Sequence, residues 1–295
     1  MPIKLVAVDL DNTLLDPEWK VSSRARRTLQ AVKKKGIEVV LATGRMFRSA
    51  RRYAVEMELG DIPMITYNGA LVRTAGSGRT LLHRPVPLPA ARRVAEYTEE
   101  RGYHLQIYVD DEFIVAAVTE KARYYSRLAG VEPVPVGRLS RFLQSDSAPR
   151  EPSSQGAAGE NPGGLSARIP TKMIIYEREE VIPGIRRELE ALLGNQVYLT
   201  TSYPYFLEVM NREVSKGKAL SHLAAILGIT REEVMALGDS YNDLDMLEFA
   251  GFPVAMANAP AEVRARARFV TSSNREDGAA EALERFLLGG GGQPV

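Results

Sequence analysis

Two aspartates, Asp9 and Asp11, stand two residues apart in the stretch Asp9-Leu10-Asp11-Asn12-Thr13, directly after the apolar run 3–8. In extended chain, residues two apart share a face, so both carboxylates can point into one site. Close carboxylates repel when both are ionised, so either a cation joins them or one holds a proton. A turn with polar caps is the plain alternative, because Asp and Asn are common in turns. Placement at the end of a buried strand, with Thr13 two residues on, favours chemistry. Asp16, before Pro17, is read as turn chemistry.

Three further stretches carry candidate chemistry. In Ala42-Thr43-Gly44-Arg45 a hydroxyl and free backbone N–H groups can hold a phosphoryl oxygen, and Gly44 lets the backbone come close. Thr43 as a simple helix cap is the rival. Lys216, in Lys216-Gly217-Lys218, can bring an ammonium to a phosphate, against the rival of a solvated basic pair. Gly238-Asp239-Ser240-Tyr241-Asn242-Asp243 is a second acidic loop whose oxygen donors suit Mg²⁺. Helix capping by Asp239 or Asn242 is the alternative there, and Asp243 would also suit the helix dipole. Asn68-Gly69 is either a substrate contact or a plain turn. The histidines His83, His104 and His222 share no metal-ligand spacing, and Trp19 is read as packing beside the first loop.

The elements that must position these residues follow from periodicity. Residues 3–8, 37–42 and 63–67 read as buried strands, separated by helices over about 23–35 and 46–59. This β-α-β-α-β series predicts a parallel sheet with right-handed crossovers. All four stretches then fall where a strand ends or a helix begins, the edge at which open α/β sheets bind ligands. After residue 83 the pattern changes to hairpins, at 105–118 and 197–210, with helices between them. That predicts an inserted α+β domain over 84–211, between core segments 1–83 and 212–295. Within it, residues 147–167 are rich in Pro, Gly and Ser and nearly free of large apolar groups. They are read as a mobile loop. Strand and helix alternate again after 211, with a helix over 218–227, a capping box at Thr230–Glu233 and a strand at 234–237.

Composition narrows the function classes. The 295 residues carry a formal net charge of +1, so no global field draws the chain to nucleic acid or membranes. Cysteine is absent, which excludes disulfides and thiolate chemistry. No apolar run approaches a membrane span, no leader is recognised, and a cytoplasmic location is the default expectation. No G-x-G-x-x-G follows the first strand, which counts against a dinucleotide site.

Taken together, in this order, the four stretches resemble the haloacid dehalogenase-like phosphatases over nearly the whole chain. The likeness is to the Cof-type subfamily, hydrolases of sugar phosphates and small phosphoesters, with the insert resembling a C2-type cap. The resemblance implies a Rossmann-like core and a Mg²⁺-dependent phosphatase acting through an aspartyl-phosphate. It implies Asp9 as nucleophile, Asp11 as proton shuttle, and Thr43 and Lys216 on the phosphoryl oxygens. Gly44, Arg45 and Asn68 would border the substrate. Mg²⁺ would be held by Asp9, the Asp11 carbonyl and Asp239, with Asp243 and Asn242 ordering its water. The implied partner is a small phosphoester, with no nucleic acid or membrane, in a monomer or homodimer. Alternatives are a phosphomutase on the same scaffold, a phospho-acceptor domain without turnover, or a structural nucleotide-binding module.

Overall fold

The computed structural model describes residues 2–144 and 168–289, so the loop expected at 147–167 lies outside the described residues. The chain divides into two compact units, one made of residues up to Leu82 and from Ser215 onward, the other of His83–Val214.

The first unit opens with β1 (Leu5–Asp9), every residue of which is buried. A strand that is apolar up to its closing Asp9 and buried throughout fits the middle of a sheet covered on both faces. The helix Ser23–Lys34 follows, its N-terminus capped by the Ser22 hydroxyl, which accepts from the Ala25 N–H at 2.9 Å. Next come β2 (Glu38–Ala42), the helix Phe47–Glu56 and β3 (Pro63–Thr66). Two strands that the hydrophobic pattern does not announce then appear, β4 (Leu71–Thr74) antiparallel to β3, and β5 (Thr80–His83). They are short, and the connection between them is polar and glycine-rich, so period-2 counting has little to register.

The second unit contributes β6 (His104–Val109), β7 (Glu112–Val115), β8 (Pro133–Pro135), β9 (Lys172–Tyr176), β10 (Val197–Tyr203) and β11 (Phe206–Asn211). Their sheet runs β10-β11-β9-β6-β7-β8. All neighbours are antiparallel except β7 and β8. The β6–β7 turn places Asp110 and Asp111 at φ 50° and 62°, the left-handed pair a tight hairpin requires. Helices Leu88–Arg101 and Ile182–Leu193 supply Val94 and Leu189 to a core shared with Ile107, Ile175 and Val209 of the sheet. β8 and the helix Leu139–Gln144 are not foreseen from sequence, and two prolines confine β8 to the sheet edge.

The chain then returns to the first unit with β12 (Val234–Gly238), β13 (Phe252–Met256) and β14 (Phe269–Thr271). The sheet order is β14-β13-β12-β1-β2-β3-β4-β5, parallel from β14 to β3. β1 is central, between β12 and β2, so its C-terminal end meets the ends of both neighbours.

The helix Lys216–Leu227 begins two residues before the expected Lys218, because Ser215 is the cap and accepts from the Lys218 N–H at 3.1 Å. This places Lys216 in the first turn. Gly217 lets the helix lie directly on the chain at Asp245, where a Cβ would meet the Asp245 carbonyl oxygen at 2.3 Å. The Gly217 N–H also donates to the Asp245 carboxylate at 3.0 Å. Gly217→Ala is expected to destabilise the protein by about 1–3 kcal/mol through overpacking, measured by urea denaturation, and to shift Lys216 out of its buried position.

Candidate active site

Asp9 closes β1 and is buried. The backbone then bulges through residues 10–14, with Asn12 in the left-handed region at φ 57°. The Asn12 carbonyl accepts from the Asn258 side chain at 2.9 Å, which pins the bulge from the end of β13.

Lys216 projects from its helix into the same place. Its ammonium lies 2.6 Å from Asp9 Oδ1 and 2.7 Å from Asp243 Oδ1, and all three side chains are buried. The other oxygen of Asp243 accepts from the backbone N–H groups of Asp239 and Ser240 at 3.1 and 3.0 Å. Asp243 is therefore held at both oxygens. A capping box joins Ser240 and Asp243, in place of the capping by Asp239 or Asn242 that the sequence allows. Asp239 accepts from the Thr13 hydroxyl at 3.0 Å, which ties the second acidic loop to the first.

The electrostatics follow from this crowding. Burial first, then the neighbouring Asp243 carboxylate, push Asp9 well above the usual carboxylate range, against the pull of Lys216. Burial and Asp243 likewise raise Asp239 to about 7, opposed by the Thr13 hydrogen bond and Lys216. For Lys216, burial alone would favour the neutral amine. Asp243 and Asp9 outweigh it, so the lysine stays charged.

A second group surrounds Asp11. Arg45 donates to both of its carboxylate oxygens, through Nε at 3.0 Å to each and through Nη2 to Oδ1. The Thr43 hydroxyl contacts Asp11 Oδ2 at 3.3 Å and accepts from the Arg45 N–H at 3.1 Å. Arg45 is thus turned onto Asp11, and its guanidinium lies 5.4 Å from the centre of the Tyr53 ring. A third group lies at the end of β3. Asn242 donates to Asn68 Oδ1 at 3.2 Å, and a Cβ on Gly44 would sit 2.8 Å from that same oxygen. Gly44 is small because Asn68 occupies the adjoining space.

All the sequence-predicted residues therefore gather at one sheet edge, in three linked groups. Asp9, Lys216, Asp239 and Asp243 form the buried centre. Asp11, Thr43 and Arg45 flank it, and Gly44, Asn68 and Asn242 form a separate contact. Tyr53, Asn258 and Asp245 support the site without having been singled out, since nothing local in their sequence surroundings marks them.

The centre fits a hard divalent cation. Oxygens of Asp9, Asp239 and Asp243 lie within 4.8 Å of one another. Three buried carboxylates face one ammonium, so the cluster has a formal excess of two negative charges, and its donors are all oxygen.

A parallel α/β sheet whose edge gathers carboxylates, an ammonium and a hydroxyl around such a centre is an arrangement able to bind an oxyanion beside a cation. Residues 6–283 match the model of the haloacid dehalogenase-like hydrolases, and the chain belongs to that family. The chain is 32% identical to YxeH of Bacillus subtilis, over 97% of this chain and 98% of that one. It is 28% identical to the 5-amino-6-(5-phospho-D-ribitylamino)uracil phosphatase YitU of the same organism, over 96% and 97%. The solved structure of TM0651 from Thermotoga maritima superposes with a TM-score of 0.83 at 28% identity, covering 96% of this chain and 97% of that one. The family makes this chain a phosphoric monoester hydrolase.

The raised value of Asp239 sets a pH dependence. Its folded value of about 7 lies above the unfolded 3.8, so the folded state binds the proton more tightly. The stability contribution of Asp239 is therefore largest in acid and is lost as pH rises from about 4 through 7. In EDTA, the thermal midpoint of the wild type relative to Asp239→Asn is expected to fall across that window. Added Mg²⁺ is expected to raise the wild-type midpoint at pH 8 and to leave Asp239→Asn nearly unmoved.

Proposed function

We propose that this chain is a Mg²⁺-dependent phosphatase of small phosphorylated metabolites, acting through an aspartyl-phosphate on Asp9. The observation that carries this reading is the buried contact of Lys216 with both Asp9 and Asp243 beside Asp239. An aspartate held at a strand end with a fixed ammonium at its side is placed to meet a phosphoryl group.

In this reading an Asp9 oxygen forms a bond to phosphorus while the bond from phosphorus to the ester oxygen breaks. Asp11 gives its proton to the departing oxygen. It then takes a proton from the water that attacks phosphorus and releases inorganic phosphate, leaving Asp9 free. The Thr43 hydroxyl and the Lys216 ammonium hold phosphoryl oxygens as negative charge spreads over them. Arg45 orients the Asp11 carboxylate and withdraws from one oxygen when the proton moves. Asp9, Asp239 and the Asp11 carbonyl would hold Mg²⁺, with Asp243 and Asn242 ordering its water. The ion would neutralise charge on Asp9 and the phosphate.

The substrate class is a sugar phosphate or similar phosphomonoester. The compound for which YitU is named, a ribityl phosphate bearing a uracil ring, falls within it. The near-neutral charge agrees with a small-molecule role in the cytoplasm, and no helix among the described residues is long and apolar enough to cross a membrane.

A phosphate-release screen over phosphorylated metabolites, with Mg²⁺ and with EDTA, tests the proposal. Release is expected only with Mg²⁺; transfer of phosphate between positions of a sugar without release would instead identify a mutase. Asp9→Asn is expected to lower kcat by roughly a thousandfold or more, and near-normal turnover in that variant would defeat the mechanism. Asp11→Asn is expected to be severe with alkyl phosphates and milder with an activated aryl phosphate, whose leaving oxygen needs no proton.

A further inference from the structure

The sheet of the second unit ends in two unlike strands. At one end, β8 is three residues long and two of them are prolines, which donate no backbone hydrogen bond, so that edge takes no further strand. At the other end, β10 runs for seven residues, Val197–Tyr203, with no charge and no proline. It pairs with β11 along one side. Among the described residues, no backbone hydrogen bond outside that ladder involves residues 197–202. The outer side of β10 is therefore a row of main-chain donors and acceptors ready for another strand. Sheets ordinarily protect such a row with a charge or a proline, as β8 is protected here.

The side chains of β10 point to what pairs with it. Tyr198 and Tyr203 stand at opposite ends of the strand and are 47% and 43% exposed. In regular alternation they would face opposite sides of the sheet. A bulge changes this, because Thr201 pairs with Leu207 but Tyr203 pairs with Phe206, so two steps on β10 match one on β11. Tyr198 stands opposite Met210, and Met210, Glu208 and Phe206 alternate onto one face. Both tyrosines therefore lie on that same face, where Tyr203 meets Phe206 edge-on with ring centres 5.6 Å apart.

We propose that β10 is the contact through which two copies of this chain associate, edge to edge and antiparallel about a two-fold axis. The composition and geometry of the strand select a second copy over a foreign segment. With no charge on it, the strand meets itself without like charges face to face. Antiparallel pairing sets Tyr198 of each copy near Tyr203 of the other on one face, which gives both exposed rings a neighbour. The blocked β8 edge stops growth after one such pairing, so the product is a closed pair and not a filament.

Sedimentation velocity of the full chain tests this. A species of twice the 32.5 kDa chain mass is expected at micromolar concentrations. A monomer at every concentration up to about 100 µM overturns the proposal. A charge at Thr201, exposed near the middle of the strand, imitates the way other edges resist pairing. Thr201→Lys and Thr201→Asp are each expected to weaken association about tenfold or more, and an equal mixture of the two to restore the dimer. A dimer unmoved by either charge, or two monomeric variants that stay apart when mixed, overturns it. Amide hydrogen exchange needs no variant. Residues 197–203 are expected to gain protection as the wild-type concentration rises, and unchanged exchange there overturns the contact. Growth into larger assemblies also overturns it, since that would require the β8 edge.

Discussion

The site depends on one buried ammonium. Lys216 is sealed from solvent between Asp9 and Asp243. A lone charge in such a place would neutralise itself, and here desolvation is offset only by the two carboxylates at contact distance. The dependence runs both ways. Without the ammonium, Asp9, Asp243 and Asp239 would face one another with nothing between them, and burial would drive protons onto them. The lysine thus lowers the cost of charge on Asp9 and Asp243, and the remaining formal excess of negative charge leaves room for a divalent cation.

Keeping that balance requires rigid support, and the backbone supplies much of it. Asp243 has one oxygen on Lys216 and the other on two main-chain N–H groups, so it has no spare freedom. Gly238 makes this possible, since a Cβ there would lie 2.6 Å from the Asp243 Cβ. Thr13 joins the two acidic loops through Asp239. Arg45 performs a parallel service for Asp11, held in turn by contact with Tyr53.

The sheet edge and the gathering of the candidate residues along it are legible in the sequence because both rest on local signals. Buried parallel strands such as β1 announce themselves as short apolar runs, and Asp9, Asp11, Thr43 and Asp239 stand at their ends. The helix starts at Lys216, two residues before the sequence pattern places it, because Ser215 caps it there while Gly217, which disfavours a helix interior, masks that start in the sequence. β4, β5 and β8 were missed because their stabilisation comes from neighbouring strands rather than from their own periodicity. The grip of Arg45 on Asp11 and the exposure of Trp19 depend on partners distant in sequence, and spacing cannot reveal them. Asn258 was invisible for the same reason, since its role is fixed by a carbonyl at Asn12.

The central position of β1 also constrains how the protein is made. The strand pairs with β2, which follows soon after it, and with β12, which lies beyond the insert. During synthesis Asp9 emerges early, while Lys216, Asp239 and Asp243 leave the ribosome only after the insert. Until then β1 has one open edge and its aspartate has no cation. The nascent chain therefore cannot carry its chemistry, and the insert, a sheet with its own core, is the part able to fold in the interval. Closure of the large sheet by β12 and assembly of the charge cluster become a single late event, so an incomplete copy has neither a finished core nor a working site.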